Sequence, residues 1–249
     1  MLIPIAVYGQ TATIDKTQLS NGVINVSYKS SEDKKTKVMV SKGSDKYTYD
    51  LKSEGQYPLQ FGNGDYTVSI LENASGNQYK VVTQETLKFS ANNINAVYLQ
   101  SIDMINWDNN MKAIKIAKEL TKGLNTDKEK ATVLYNYVAK NIKYDYNKAA
   151  TVVAGYIPSI DATLNTSLGI CFDYSVVYAA MMRSVGVPTK VIMGQNIDIK
   201  EYHAWNEVYL SESNQWVTID TTYDAPSIQK GIPTAMIKNI SDYTTEKQY

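Results

Sequence analysis

One cysteine, one histidine and an aspartate fall between positions 171 and 220 of this chain. Cys171 sits in Gly169-Ile170-Cys171-Phe172-Asp173-Tyr174-Ser175, and it is the sole cysteine. A helical run follows from Ser175 to Val185, then Gly186 and Val187-Pro188, the expected stop of glycine just past a helix end with proline soon after. Cys171 is therefore expected at or just before a helix N-terminus, where the dipole and free backbone N–H groups favour a thiolate. His203, the sole histidine, opens the alternating stretch His203-Ala204-Trp205-Asn206-Glu207-Val208-Tyr209-Leu210. After a short polar gap comes Trp216-Val217-Thr218-Ile219-Asp220. Thiol, imidazole and carboxylate are the parts of a nucleophile, a base and an orienter. Taken singly, each has a plainer reading: a buried small hydrophobe, a satisfied structural histidine, a turn former. Their joint arrangement carries the chemistry.

The elements that must position them follow from local pattern. Residues 203–210 and 214–220 read as a hairpin. Across an antiparallel pair, opposed residues face the same side. His203 and Asp220 share a face only if paired residue numbers sum to an odd value. Pairing Tyr209 with Asn214 meets this condition, leaves a turn from Leu210 to Ser213 and sets His203 opposite Asp220. That register, or another odd one, is expected. Thr189–Gly194 reads as a preceding strand and Gln195–Tyr202 as a polar loop. Upstream, Met111, Ile114, Ala117 and Leu120 recur at helical spacing up to Gly123. A second helix starts at Thr126 with Glu129 three residues on, a capping box, and Ala131, Leu134, Val138 and Ile142 make its apolar stripe. Tyr144, just past it, is a candidate wall of a cleft. Residues 147–168 read as an irregular approach to Cys171. Beyond Pro226 the pattern fades: Met236–Ile240 is a closing strand or helix and the last residues fray.

Residues up to about 100 read differently. Short alternating stretches at Gly22–Tyr28, Lys37–Val40, Tyr47–Leu51, Asp65–Leu71 and Tyr79–Val82 are separated by turn signals such as Phe61-Gly62-Asn63-Gly64-Asp65. Regular short strands predict an antiparallel β-sandwich, read as a spacer or adhesion-type module. The fold class expected is α+β, with a β-sandwich over 1–100 and a second domain over 101–249.

Composition bounds the partners. The 25 basic and 25 acidic residues cancel, and Arg183 is the sole arginine, so clustered cations and bidentate phosphate contacts lack material. Nucleic acid is not an expected partner. A single cysteine excludes an internal disulfide and a cysteine-rich zinc site, and no glycine-rich phosphate loop is present; no metal and no cofactor are expected. No apolar run reaches the length of a bilayer span. Met1–Tyr8 is apolar but short, either the stub of a removed signal or an edge strand.

Gly169-x-Cys171, His203-Ala204-Trp205 and Trp216-Val217-x-Ile219-Asp220 resemble the core of the transglutaminase-like superfamily, related in active-site arrangement to papain-type cysteine proteases. The likeness covers roughly residues 110–225. It implies an α+β core with the cysteine on a helix packed on an antiparallel sheet that carries histidine and aspartate. It also implies roles: Cys171 as nucleophile, His203 as base and Asp220 as orienter. Thr221-Thr222 stands where many relatives carry Pro-Thr, a mild departure. The N-terminal strands resemble the Ig-like modules that accompany such domains in bacterial surface proteins, which implies an extracellular or cell-surface location. The reaction expected is attack on a glutamine amide or a peptide bond of a protein or peptide substrate, through a thioester passed to water or to an amine. The Cys171 N–H is one oxyanion donor and Asn165 a candidate for the second; Trp205 either packs under His203 or walls the cleft. The alternative is a surface binding module that keeps the fold without catalysis.

Overall fold

The computed structural model describes residues 12–30 and 32–249; the stretch Met1–Tyr8 lies outside the described residues. The chain divides into two compact units, Met1–Ile94 and Asn95–Tyr249. The division falls a few residues before position 100 because Val97 and Tyr98 are buried in the second unit, Tyr98 with its ring 5.3 Å from that of Trp216.

The first unit is all β. Its strands are β1 (Thr13–Asp15), β2 (Val23–Ser27), β3 (Thr36–Lys42), β4 (Asp45–Leu51), β5 (Glu54–Pro58), β6 (Gly64–Ser75) and β7 (Gln78–Phe89). They form two antiparallel sheets, ordered β1-β2-β5 and β4-β3-β6-β7. In β3, Val38 and Val40 point inward while Lys37 points outward to Asp50 at 2.6 Å, the two-residue alternation of a half-buried strand. Tyr49 of β4 and Tyr57 of β5 meet with ring centroids 5.2 Å apart. The alternation located β2, β3, β4, β6 and β7. It missed β1, which is three residues long, and β5, whose Glu54-Gly55-Gln56 becomes a strand only by pairing with β2.

The second unit runs α1 (Lys112–Leu120), α2 (Asp127–Asn141), β8 (Lys143–Tyr144), α3 (Tyr146–Thr151), α4 (Ile160–Thr166), β9 (Leu168–Gly169), α5 (Cys171–Ser184), β10 (Thr189–Asn196), β11 (Ile199–Leu210), β12 (Gln215–Ile219), α6 (Thr221–Gln229), β13 (Ile237–Lys238) and β14 (Tyr243–Gln248). Five strands make one antiparallel sheet, β13-β12-β11-β10-β14, and β8 and β9 form a short parallel pair. Helix α5 is the core: Phe172 through Arg183 are all buried, as expected for a helix apolar on every side. Asn206 of β11 ties it to the sheet, donating from Nδ2 to the Ser175 carbonyl (3.0 Å) and to the Lys190 carbonyl (2.9 Å). Arg183 is structural. It donates to the carbonyls of Thr189, Gln100 and Tyr249, and burial lowers its pKa to about 9. Helix α2 starts with the Thr126–Glu129 capping box, and its predicted stripe is fully buried.

Three expectations are corrected. Residues 147–168 hold α3 and α4, six and seven residues long, too short to display a helical hydrophobic period. Gln195–Tyr202 is a tight hairpin rather than a loop, because the Asn196 side chain accepts from the Asp198 N–H (2.8 Å) and turns the chain. The last residues do not fray: β14 pairs with β10, and the Val191 and Tyr249 backbones exchange bonds at 3.0 and 2.9 Å. Thr244-Thr245-Glu246-Lys247 is too polar to announce a strand; its partner decides.

Candidate active site

Cys171 is the first residue of α5 and is partly exposed. The turn that delivers it depends on Gly169. A Cβ there would lie 2.7 Å from the Asp173 Cβ and 3.2 Å from Thr163 Cγ2. The absent side chain lets Asp173 fold back and accept the Ile170 N–H at 2.8 Å, satisfying one of the helix's free N-terminal donors. Asp173 is fully buried, and Lys148 Nζ offsets its charge from 3.1 Å while the Tyr156 hydroxyl also donates to it. The helix start is thus fixed from behind, with the thiol facing forward.

His203 lies on β11 opposite Gly194 of β10. Its Nε2 is 2.7 Å from Asp220 Oδ2, and the Cys171 side chain is close enough to help raise its pKa. Strand β12 pairs with β11 through Tyr209–Trp216 and Leu210–Gln215. The register is odd, so His203 and Asp220 share a face, but it lies two residues from the Tyr209–Asn214 pairing and the turn is Ser211–Asn214. Asn214 adopts φ 54°, which suits asparagine at a left-handed turn position. Asp220 closes β12 and caps α6, accepting the Tyr223 N–H at 3.0 Å. It is fully buried and takes a third bond from the Tyr243 hydroxyl at 3.1 Å. Burial works against a charged imidazole, but the bonds to Asp220 and Cys171 outweigh it and raise the His203 pKa to about 10.

Tyr243 escaped the sequence reading. It comes from β14, and its ring lies 4.9 Å from Trp205 in a small cluster with Ile192. Gly194 makes this possible. A Cβ at Gly194 would stand 2.0 Å from the Thr244 carbonyl oxygen, so β14 approaches β10 only over a glycine. No pattern in Asp242-Tyr243-Thr244 signals this; the glycine inside a predicted strand was the available hint.

The thiol opens into a cavity of about 460 Å³ lined by Tyr144, Tyr146, Cys171, Glu201, Tyr202, His203, Thr222 and Tyr223, among others. Tyr144 is therefore a cavity wall. Burial raises its hydroxyl pKa, and the Cys171 and Glu201 charges raise it further. Trp205 is not: it is fully buried and stacks beneath His203, ring centroids 6.2 Å apart. Asn165 does not line the cavity either. It sits on α4, where its side-chain oxygen accepts from Lys112 Nζ at 3.1 Å. Among the described residues no three His, Cys, Asp or Glu side chains cluster to hold a metal, and no helix is long and apolar enough to cross a membrane.

Residues 114–221 match the family model of the Transglutaminase-like superfamily. A UPF0252 protein of Methanocaldococcus jannaschii is 27% identical over 121 residues, 44% of this chain and 34% of that protein. The chain thus spans about a third of the length of that curated relative. Among solved structures, a candidate cysteine protease of Cytophaga hutchinsonii aligns over 61% of this chain and 50% of its own at 14% identity, with a TM-score of 0.43. Red sea bream transglutaminase aligns over 80% and 48% at 12% identity, with a TM-score of 0.35. By the family match, the segment that carries Cys171, His203 and Asp220 is similar to the transglutaminase-like superfamily.

Proposed function

We propose that the chain is a cysteine-dependent acyl-transfer enzyme acting on protein or peptide amides through a thioester, as a peptidase, deamidase or transglutaminase. The observation that carries this reading is His203 bonded at 2.7 Å to a buried carboxylate while sharing a cavity with a helix-start thiol. His203 takes the Cys171 proton, giving a thiolate–imidazolium pair. The thiolate attacks the amide carbon, and the carbonyl oxygen becomes an oxyanion held by the Cys171 N–H. Asn165 is turned to Lys112, and the Tyr144 hydroxyl on the cavity wall is the candidate for the second donor. The imidazolium gives its proton to the departing ammonia or amine as the C–N bond breaks, leaving a thioester on Cys171. Water or an amine then attacks the thioester, losing its proton to His203, and the thiolate leaves. Asp220 orients the ring and stabilises its charge throughout. The first unit is read as an Ig-like module, supported by its strand order of three strands over four.

The test is the pH dependence of Cys171 alkylation by iodoacetamide in the wild type and in His203→Ala, followed by ammonia release and amine incorporation on glutamine peptides. Fast alkylation well below the ordinary thiol pKa of about 8.5, lost in His203→Ala, is the expected result. An inert Cys171, or one indifferent to His203, would replace this reading with a non-catalytic binding module.

A further inference from the structure

The cavity in front of Cys171 carries one carboxylate and no counter-charge on its walls. Of the described residues that line it, Glu201 alone is acidic, and no lysine or arginine is present. Glu201 and His203 lie two residues apart on β11, where the register against β10 is bulged, and both line the cavity. The Glu201 side chain is exposed and forms no ion pair or hydrogen bond with another described residue. Tyr144, on the cavity wall, senses both the Glu201 charge and the Cys171 charge. The remaining walls are tyrosines: Tyr144, Tyr146, Tyr202 and Tyr223.

These features fit one class of ligand. A thiolate–imidazolium pair is neutral as a unit, so Glu201 sets the sign of the field in the cavity. Aromatic rings attract cations through their faces and discriminate poorly among neutral groups. An unpaired carboxylate beside several tyrosines is therefore a receptor for an ammonium or guanidinium group. An anionic group there would be repelled, and a neutral one would gain little.

We propose that Glu201 makes this cleft selective for a cationic group, an alkylammonium or guanidinium carried close to the attacked carbonyl or on the incoming amine, and against anionic ones. The proposal rests on Cys171 being the nucleophile of the cavity.

The experiment uses the full chain, in which Cys171 is the sole thiol. Its modification rate is measured by intact mass with three methanethiosulfonates of similar reach: one bearing a trimethylammonium, one a sulfonate and one neutral. The cation-to-anion rate ratio, each rate normalised to the neutral reagent, reports the field at the sulfur. Removing a unit charge from the wall of a partly solvated cleft predicts a ratio that falls by about tenfold in Glu201→Gln at low salt, and falls further in Glu201→Lys. The difference should shrink at 1 M salt, where the Debye length is about 3 Å. A ratio that stays within about twofold of wild type in both variants overturns the proposal. The exposed position of Glu201 lets the variants fold, which far-UV circular dichroism checks.

Two further arms identify the source of the cation. In the first half-reaction, glutamine peptides with lysine or glutamate beside the reactive residue are compared by kcat/KM. In the second, 1,5-diaminopentane and pentylamine compete with water for the thioester. A lysine preference lost in Glu201→Gln assigns the site to the acyl donor; a diamine preference lost in the variant assigns it to the acceptor. Neither preference in an active enzyme overturns the proposal. The charged-reagent ratio is readable whether or not the protein turns over substrate. A failure here therefore stands apart from a failure of the acyl-transfer reading, which the His203→Ala alkylation profile decides.

Discussion

His203 is the sole histidine, so its titration can be read without assignment ambiguity. Its pKa is raised from 6.5 to about 10, against the effect of burial, by Asp220 and Cys171. At 1.36 kcal/mol per unit, that shift is an upper bound of about 5 kcal/mol in favour of the imidazolium. Asp220→Asn keeps the shape of the side chain and removes the charge. An opposite charge at hydrogen-bonding distance shifts a pKa by about 1–3 units, so His203 should fall by about 2 units in the variant while burial continues to push it down. The assay is an imidazole proton–carbon correlation spectrum followed from pH 5 to 11, in which wild type and variant each give one histidine signal. A second readout is stability. A pKa raised by folding contributes stability that is fully present below the unfolded value of 6.5 and is lost as pH rises through about 10. In a Cys171→Ser background, which removes the second titrating partner and its share of the upward shift, urea-unfolding free energy should therefore decline from pH 7 up to a folded value below 10, and Asp220→Asn should flatten that decline. A wild-type histidine titrating at or below 6.5, or an Asp220→Asn value equal to wild type, would refute the reasoning.

Tyr243→Phe keeps the ring against Trp205 but removes one of three bonds to the buried Asp220. A hydrogen bond to a charged group contributes about 1.5–3 kcal/mol, so a loss of that order in unfolding free energy is expected, with slower Cys171 alkylation at fixed pH. Gly194→Ala drives a Cβ to within 2.0 Å of the Thr244 carbonyl. Overpacking against backbone costs about 1–3 kcal/mol, and protease protection of the final strand should fall along with activity. Asn206→Leu removes the Nδ2 group that bonds the Ser175 carbonyl of α5 and the Lys190 carbonyl of β10. A loss of about 2–4 kcal/mol by urea unfolding is expected; an unchanged midpoint would show that the link is not structural.

Local sequence chemistry marked α1, α2 and α5 and their limits. The Thr126–Glu129 box, the stripe on α2, and the stop at Gly186 before Pro188 are short-range signals, and the structure reproduces them. The start of α5 at Cys171 was legible for the same reason: an apolar run bounded by glycine on both sides has few other solutions. The requirement that His203 and Asp220 share a face was also legible, because strand side chains alternate with a period of two. The actual register was not, since several turns of similar length close that hairpin.

Tertiary structure decided what depends on residues far apart in the chain. Asn165 and Tyr144 looked comparable in sequence, but α4 turns Asn165 to Lys112 while the β8–β9 pairing sets Tyr144 beside the residues that lead into Cys171. Trp205 became a support because β14 covers it, and Tyr243 reached Asp220 because Gly194 lets that strand close in. The sequence by itself named the reactive groups and the elements that carry them. Their hydrogen-bond partners, and the carboxylate that shares the cavity with the thiol, came from long-range packing, where a polar final strand is chosen by its neighbour and not by its own pattern.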